Sequence, residues 1–456
     1  MTTVSLVYPF FRPKPDKSIF RFPPLGPGYI VSYLRQHGIS ANLVDCTFLT
    51  ENEAIERVRK SKPTIVGIYS MFSMKAPALR MAKLLRDQCE MLVAGGPLPT
   101  LCAEDFLDDF DVVGVGEGEA TVLELVETVQ GHRSLSTVKG IVYKNHESND
   151  NHIIRTPIRE AIQDLDRLPF PARDQLNNEA YKQHYKKRFG YTTTSVITSR
   201  GCPFRCDFCS RAVFGHEFRT RSAVNIVDEM ESVRALGYER IWFSDDCFTL
   251  HKKRLLSICD EIARRRLDIS WECLSRVDTI NSETALAMKK AGCVRMFFGL
   301  ESGNDAVLAL MNKQTTTREA RRAVLTARAA GIQVGAFFIV GYPGETDNTV
   351  LDTLRFASSL PLDYLSFSVP YPIPGTPLYE RVRSTIEFDD LAQPKHLSVT
   401  DHKLIYRSSF SEAKLKLAIV KGSAQFQLRK ALGDSGYGLL GVPFERLTDY
   451  AFRLLS

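Results

Sequence analysis

Apolar and polar positions divide the chain into two long stretches, each alternating short apolar runs with longer amphipathic segments. In the first, residues 1 to about 130, the runs Val4 to Tyr8, Ala41 to Asp45, Ile65 to Tyr69, Met91 to Ala94 and Asp111 to Val115 predict strands. Between them, Gly28 to Gln36 and Pro77 to Gln88 carry apolar residues at three- and four-residue intervals, which predicts helices packed on a parallel sheet. This doubly wound rhythm predicts an α/β, Rossmann-like domain with ligand contacts at the C-terminal ends of its strands.

Residues 138 to 157 read as a hairpin, with Ile141-Val-Tyr and Ile153-Ile on either side of a polar stretch that starts at Asn145. The Pro-containing connector Leu168-Pro-Phe-Pro-Ala-Arg follows and marks a boundary. From about 192 to 380 the rhythm returns, with strands expected near Ser195, Ile241, Trp271, Met296, Phe337 and Leu365. Six such units predict a partial (β/α)6 barrel whose chemistry sits at the C-terminal strand ends. An amphipathic stretch from Glu412 to Leu432 predicts a mainly helical cap. The expected division is therefore 1–137, a Rossmann-like domain; 138–191, hairpin and linker; 192–380, the barrel; and 381–456, the cap.

Composition narrows the class. The chain has 456 residues, 44% hydrophobic and 25% charged, as a soluble globular protein does. Its longest nearly uncharged apolar stretch, Ile332 to Pro343, is far shorter than the ~18 residues that argue for a membrane-spanning helix, and it reads as a buried strand. The N-terminus lacks the basic region, apolar core and cleavage site of a secretory signal, so the expected location is the cytoplasm. A net charge of +6 with scattered Lys and Arg does not imply nucleic acid, and Lys182 to Arg188 reads as a solvated face. Ten cysteines in a reducing compartment point to metal ligands or buried thiols rather than disulfides.

Three of those cysteines carry the sharpest signal. In Ser199-Arg-Gly-Cys-Pro-Phe-Arg-Cys-Asp-Phe-Cys-Ser the spacing CxxxCxxC brings Cys202, Cys206 and Cys209 onto one short loop after the first barrel strand. Three soft thiolates suit an iron–sulfur cluster and leave one iron without a protein ligand. A structural zinc site needs four protein ligands; His216 and Cys247 are available, but their separation follows no zinc pattern.

This loop resembles that of the radical S-adenosylmethionine (SAM) superfamily, with the aromatic Phe208 just before the third cysteine, and the resemblance covers roughly residues 192 to 380. It implies a [4Fe–4S] cluster on Cys202, Cys206 and Cys209. SAM would chelate the open iron and be cleaved by an electron from a flavodoxin- or ferredoxin-like donor, giving a 5'-deoxyadenosyl radical. For SAM, the resemblance implicates Phe208 and the strand-end residues Asp245, Asp246, Arg276, Glu301 and Gly341. Asp245 and Asp246 also fit a helix N-cap, Arg276 a surface position and Glu301 a structural salt bridge. Gly341-Tyr-Pro-Gly-Glu and Pro370-Tyr-Pro-Ile-Pro-Gly-Thr-Pro-Leu-Tyr look family-like, but also suit simple turns. Cys247 either faces a pocket or packs.

The first domain resembles the cobalamin-binding domain that precedes the barrel in one subgroup. The matching segments are Pro23-Pro-Leu-Gly-Pro-Gly-Tyr-Ile-Val-Ser-Tyr-Leu, Ala94-Gly-Gly-Pro-Leu-Pro-Thr and Gly114-Val-Gly-Glu-Gly-Glu-Ala. Gly95, Gly96, Gly114 and Gly116 would let a bulky corrinoid lie against the strand ends, with Tyr69, Ser70, Met71 and Phe72 near the lower face of cobalt. The first histidine, His37, falls in a predicted helix, so cobalt is expected to lack a histidine ligand.

The resemblance thus implies a cobalamin-dependent radical SAM methyltransferase acting on a carbon of a small molecule. The runner-up is a cobalamin-linked rearrangement, cyclisation or ring-contraction enzyme. A tRNA methylthiotransferase would need a second cluster on three N-terminal cysteines, and Cys46, Cys89 and Cys102 are not expected at matching strand ends. An auxiliary-cluster enzyme would need cysteines beyond Cys293, and a non-enzymatic corrinoid carrier would have no use for the triad.

Overall fold

In the structure, a computed structural model that describes residues 2–11, 20–145, 152–387 and 404–455, both sets of expected strands form sheets. The first set runs β1 (Thr3–Tyr8), α1 (Leu25–Gln36), β2 (Ser40–Asp45), α2 (Glu51–Ser61), β3 (Ile65–Tyr69), α3 (Lys75–Leu85), β4 (Met91–Gly95), α4 (Pro97–Leu101), β5 (Val112–Gly114) and α5 (Glu119–Val129). The hairpin β6 (Ile141–Asn145) and β7 (His152–Arg155) completes a seven-stranded sheet of order β2-β1-β3-β4-β5-β6-β7. Its first five strands are parallel and the hairpin is antiparallel. The polar residues 146–151 between β6 and β7 lie outside the described residues.

Both faces of this sheet are covered, which is why its strands read as nearly continuous apolar runs. In β1, Val4 and Leu6 enter one core with Val31, Leu34 and Leu125, while Val7 enters the other with Val44, Ile68, Met81 and Leu85. Each such fully buried aliphatic side chain contributes about 1.5–3 kcal/mol. Local signals fix the helix starts: Thr50 Oγ1 accepts from the Glu53 backbone N–H, and the Glu53 carboxylate accepts from Thr50 N–H in return.

The strand order reverses direction between β1 and β3. In an open α/β sheet, such a reversal opens a crevice outside the C-terminal strand ends.

Further along come α6 (Asn178–Phe189), β8 (Thr193–Val196), and the two-residue strands β9 (Ser199–Arg200) and β10 (Arg219–Thr220), which pair antiparallel. Then follow α7 (Ala223–Ala235), β11 (Arg240–Phe243), α8 (Lys252–Arg265), β12 (Ser270–Ser275), α9 (Ser282–Lys290), β13 (Cys293–Glu301), α10 (Asp305–Leu310), α11 (Thr317–Ala329), β14 (Gln333–Ile339), α12 (Asp347–Ser359), β15 (Tyr364–Ser368) and α13 (Pro377–Val382). The six long strands form a sheet of order β15-β14-β13-β12-β11-β8, parallel from β12 to β15. The apolar run beginning at Ile332 is indeed a buried strand, but it ends at Ile339, and Val340 to Pro343 form the turn beyond it.

The C-terminal segment is helical: α14 (Glu412–Gly436), interrupted at Gly433, leads through a short π-helical turn into α15 (Val442–Leu454). At Gly422 a Cβ would come within 2.8 Å of Leu354 on α12 and Phe367 on β15, so glycine lets α14 lie close against them. Lys421 pairs with Asp449 at 2.6 Å, which ties α14 to α15. By contacts the chain forms two compact units: one mainly from residues up to Cys202 plus Arg211–Ile241, the other mainly from Pro203–Ser210 and the residues from Trp242 onward. No described helix is long and apolar enough to cross a membrane.

Candidate functional site

Two anchors hold the cysteine loop. In the first unit, Gly201 has φ +84°, and a Cβ there would lie 2.1 Å from the Glu217 carbonyl oxygen, so only glycine fits before Cys202. Cys202 N–H then donates to Gly215 O at 3.3 Å. In the second unit, Asp207 N–H donates to Met311 O at 3.0 Å, and Asp207 O accepts from Leu378 N–H at 3.1 Å. The Asp207 carboxylate accepts from Arg381 Nη2 at 2.6 Å, and Asn312 Nδ2 donates to Arg205 O at 2.7 Å.

Cys202 and Cys206 are buried, Cys209 is half-buried, and none of the ten cysteines forms a disulfide. Among the described residues no three His, Cys, Asp or Glu side chains converge as they would around a single ion. A cubane cluster makes a different demand, since each thiolate binds its own iron corner.

Charged side chains gather at the strand ends beside this loop. The Arg276 guanidinium, which follows β12, lies 3.5 Å over the Phe204 ring, and its Nη1 is 4.0 Å from Cys206 Sγ. Its Nε and Nη2 donate to Asp278 at 3.0 and 2.9 Å, and Nη2 also donates to Lys313 O at 3.0 Å. It is buried, not the surface arginine that the sequence allowed. Its two-pronged Nε–Nη2 edge is spent on Asp278.

Glu301 ends β13 at a register shift with φ +62°, a left-handed conformation uncommon for glutamate. Its carboxylate accepts from Lys313 Nζ at 2.8 Å, both groups being buried, so the salt-bridge alternative is realised whatever else Glu301 holds. Burial acts to lower the Lys313 pKa, but Glu301 and Cys206 outweigh it and hold the ammonium above its usual range.

The aspartate pair splits. Asp245 is buried, 3.6 Å from Arg254, while Asp246 is exposed. Neither caps the next helix, because the loop runs on to His251, whose Nδ1 accepts from Arg254 N–H at the start of α8. The N-cap alternative for the pair is therefore corrected. Cys247 is buried.

At Gly341, φ is +84° and a Cβ would strike Leu415 of α14 at 2.6 Å, so the close approach this glycine allows is to that helix. Glu345 closes the same turn, accepting from Gly341 and Tyr342 N–H at 2.7 and 2.8 Å. Burial, only partly offset by those hydrogen bonds, pushes its carboxyl pKa up to about 7.

The first unit offers space at its strand ends instead. At the C-terminal ends of β1 and β3 the rings of Tyr8 and Tyr69 lie 5.3 Å apart. A Cβ on Gly95 would meet nothing within 4 Å, whereas one on Gly96, at φ +107°, would meet Ser70 O at 2.7 Å and the Tyr69 ring at 3.0 Å. Gly114 and Gly116 have only ordinary contacts, at 3.7 and 3.8 Å. Open glycines at strand ends fit a bulky planar ligand.

Ser70 is buried, Met71 is 36% exposed, and Phe72 packs against the core. His37 follows the last turn of α1 rather than lying inside it, bonding Tyr33 O. Against expectation, Cys46 does follow a strand end, that of β2, but it is buried in the core; Cys89 precedes β4 and Cys102 follows α4.

Phe204, Asp207, Lys313 and Arg381 were not singled out from the sequence. Their positions in the loop and beyond α10 become meaningful only through the contacts above. Tyr8 was not singled out either, although a polar tip on an otherwise apolar strand end is visible in the sequence.

A family model described as the radical SAM superfamily matches residues 196–357, and one described as the B12 binding domain matches residues 17–126. An uncharacterized methyltransferase of Pyrococcus horikoshii is 36% identical over 78% of this chain and 78% of its own. The anaerobic magnesium-protoporphyrin IX monomethyl ester cyclase of Rubrivivax gelatinosus is 28% identical over 85% of this chain and 71% of its own. In fold, the chain is similar to the radical SAM methyltransferase TsrM of Kitasatospora setae, solved with cobalamin and a [4Fe–4S] cluster. That likeness has a TM-score of 0.70 at 20% identity, covering 84% of this chain and 75% of that one. With the two models in this order and that identity across most of both chains, the chain belongs to the radical SAM superfamily, as a member with an N-terminal B12-binding domain.

Proposed function

We propose that this chain is a cobalamin-dependent radical SAM enzyme that transfers a methyl group to a carbon of a small-molecule substrate. The observation that carries the reading is the pairing in one chain of a B12-binding domain and a radical SAM domain, at 36% identity to a methyltransferase. When bound, a [4Fe–4S] cluster, SAM and cobalamin supply one-electron cleavage of a carbon–sulfur bond and a transferable methyl group.

The chain's own residues hold and shield those groups. Cys202, Cys206 and Cys209 are the thiolates for the cluster, on a loop pinned through Asp207 and Arg205. Phe208, Asp245, Asp246, Arg276, Glu301 and Gly341 remain the residues assigned to SAM, with one refinement. Because Asp278 occupies the fork of Arg276, its remaining Nη1 faces Cys206, and its charge would act on the sulfurs of a bound cluster, where outer cations and hydrogen bonds tune potential. Tyr69, Met71, Phe72, Gly95, Gly96, Gly114 and Gly116 form the surface assigned to cobalamin.

The same reading keeps the four-part division at 137, 191 and 380, a flavodoxin- or ferredoxin-like electron donor, and a cytoplasmic location. Cyclisation is the second reading, favoured by the likeness to the cyclase. Incubating the reconstituted protein with SAM labelled in its methyl group and candidate substrates separates the two: label in the product supports methyl transfer, and an unlabelled, ring-closed product overturns it.

A further inference from the structure

Gly114-Val-Gly-Glu-Gly-Glu-Ala supplies glycines to the open strand ends, but its two glutamates point to a different task. Glu117 and Glu119 are 7% and 3% exposed, and their partners Arg200 and Arg219 are each 4% exposed. Arg200 donates to Glu117 through Nη1 at 2.7 Å and to Glu119 through Nη2 at 2.6 Å. Arg219 Nη1 meets both Glu117 oxygens at 3.1 and 3.0 Å and donates to Ile162 O at 2.6 Å. The Ile162 N–H completes the Glu117 shell at 2.8 Å, and Arg200 lies over the rings of Tyr29 and Phe214 at 5.4 and 5.0 Å.

Two carboxylates and two guanidiniums balance, and each is hydrogen-bonded, as buried charges must be.

The two arginines are directly paired residues of β9 and β10, a ladder only two residues long. So short a ladder does not hold its own register. Cys202 stands two residues after Arg200, across Gly201, where a Cβ would overlap the Glu217 carbonyl. The ion network therefore fixes the strand that presents the first cysteine.

We propose that Glu117 and Glu119 are positioning residues for Cys202, acting through Arg200 and Arg219 to set the reach of its thiolate to the cluster. This rests on the reading of Cys202 as a cluster ligand.

A second buried network in the same unit supplies a control. Glu229 pairs with Arg173 at 2.6 Å and with Arg221; Arg173 donates to Ser195 O at 2.7 Å, and Arg221 donates to Ile197 O at 2.9 Å and Thr198 O at 3.0 Å, all ahead of β9 and farther along the chain from Cys202 than Arg200 is.

The experiment uses the full chain, reconstituted anaerobically, in five variants: Glu119→Gln, Glu119→Asp, Arg200→Lys, Glu229→Gln and Cys202→Ala. It reads iron and sulfide content, the rate of cluster loss to a ferrous-iron chelator, the spectrum of the reduced cluster, and Tm. Glu119→Gln is expected to lose its cluster roughly 10-fold faster than the parent, the scale of an outer-shell ligand effect, with an altered reduced-cluster spectrum. Glu119→Asp should recover part of the loss. Glu229→Gln should lower Tm while leaving the rate unchanged.

Should Glu119→Gln not fold, Arg200→Lys carries the test, because it keeps the charge but cannot fork to two carboxylates. A loss rate within twofold of the parent in the folded variant, or equal acceleration in Glu229→Gln, overturns the proposal. Retention of a full cluster by Cys202→Ala would instead overturn the ligand reading beneath it.

Discussion

The strand ends of the two sheets solve different problems. In the first, Gly95, Gly114 and Gly116 leave space beside the Tyr8 and Tyr69 rings. In the second, the ends of β12 and β13 carry Arg276 with Asp278 and Glu301 with Lys313, buried beside the cysteine loop. A large planar ligand is recognised by shape over a wide area. A cluster and its electron demand a fixed charge environment. Under the assignments proposed above, one chain would separate recognition by room from control by charge.

The strongest way to break this comparison is at the loop itself. Cys206→Ala should drop bound iron and sulfide after reconstitution to background and abolish SAM cleavage, while visible-spectrum titration with cobalamin continues to report binding to the first domain. Loss of both would deny the separation.

Next comes the charged end. Glu301→Gln leaves the buried Lys313 ammonium without its counter-charge and should cost about 3 kcal/mol in denaturant unfolding of the folded chain. A cost below ~1 kcal/mol would mean the pair is solvated.

A pH effect of up to about 3 kcal/mol should come from Glu345. Its folded pKa, raised to about 7 by burial, lies above the ordinary glutamate value of 4.5, so the folded state holds the extra proton. Stability from this group is present at low pH and falls as pH rises from about 4.5 through 7. Glu345→Gln should flatten that slope in urea unfolding measured across the window, and an unchanged slope would count against the shift.

The smallest effects sharpen the glycine side. Gly96→Ala meets both positive φ and a contact at 2.7 Å and should cost about 1–3 kcal/mol. Gly95→Ala, with nothing within 4 Å, should change stability by under about 0.5 kcal/mol yet weaken cobalamin binding in a spectral titration. Equal stability costs at the two glycines would erase the distinction.

Much of the fold was legible because a strand covered on both faces reads as an unbroken apolar run. Ile65 to Tyr69 is predicted residue for residue, and all six barrel strands lie where expected. Boundaries slipped where a turn remains apolar, as at Val340 beyond β14. The cysteine loop was legible from spacing alone, since thiolates on a loop have few alternative uses. Side chains around it were less so. Asp245 and Asp246 are indistinguishable in sequence, yet one is buried and the other exposed; the expected cap went to His251, because the loop continues past the pair before the helix begins.

By itself the sequence determined the two α/β sheets, the order of the two domains and the three-cysteine loop, because hydrophobic period and ligand spacing are local properties. Only the tertiary structure decided which charges meet. Arg276 with Asp278 is a near neighbour, but Lys313 reaches Glu301 across twelve residues and Arg200 reaches Glu117 across eighty-three. A buried charge is stable only with its partner in place, and no local pattern records a partner that distant chain folding supplies.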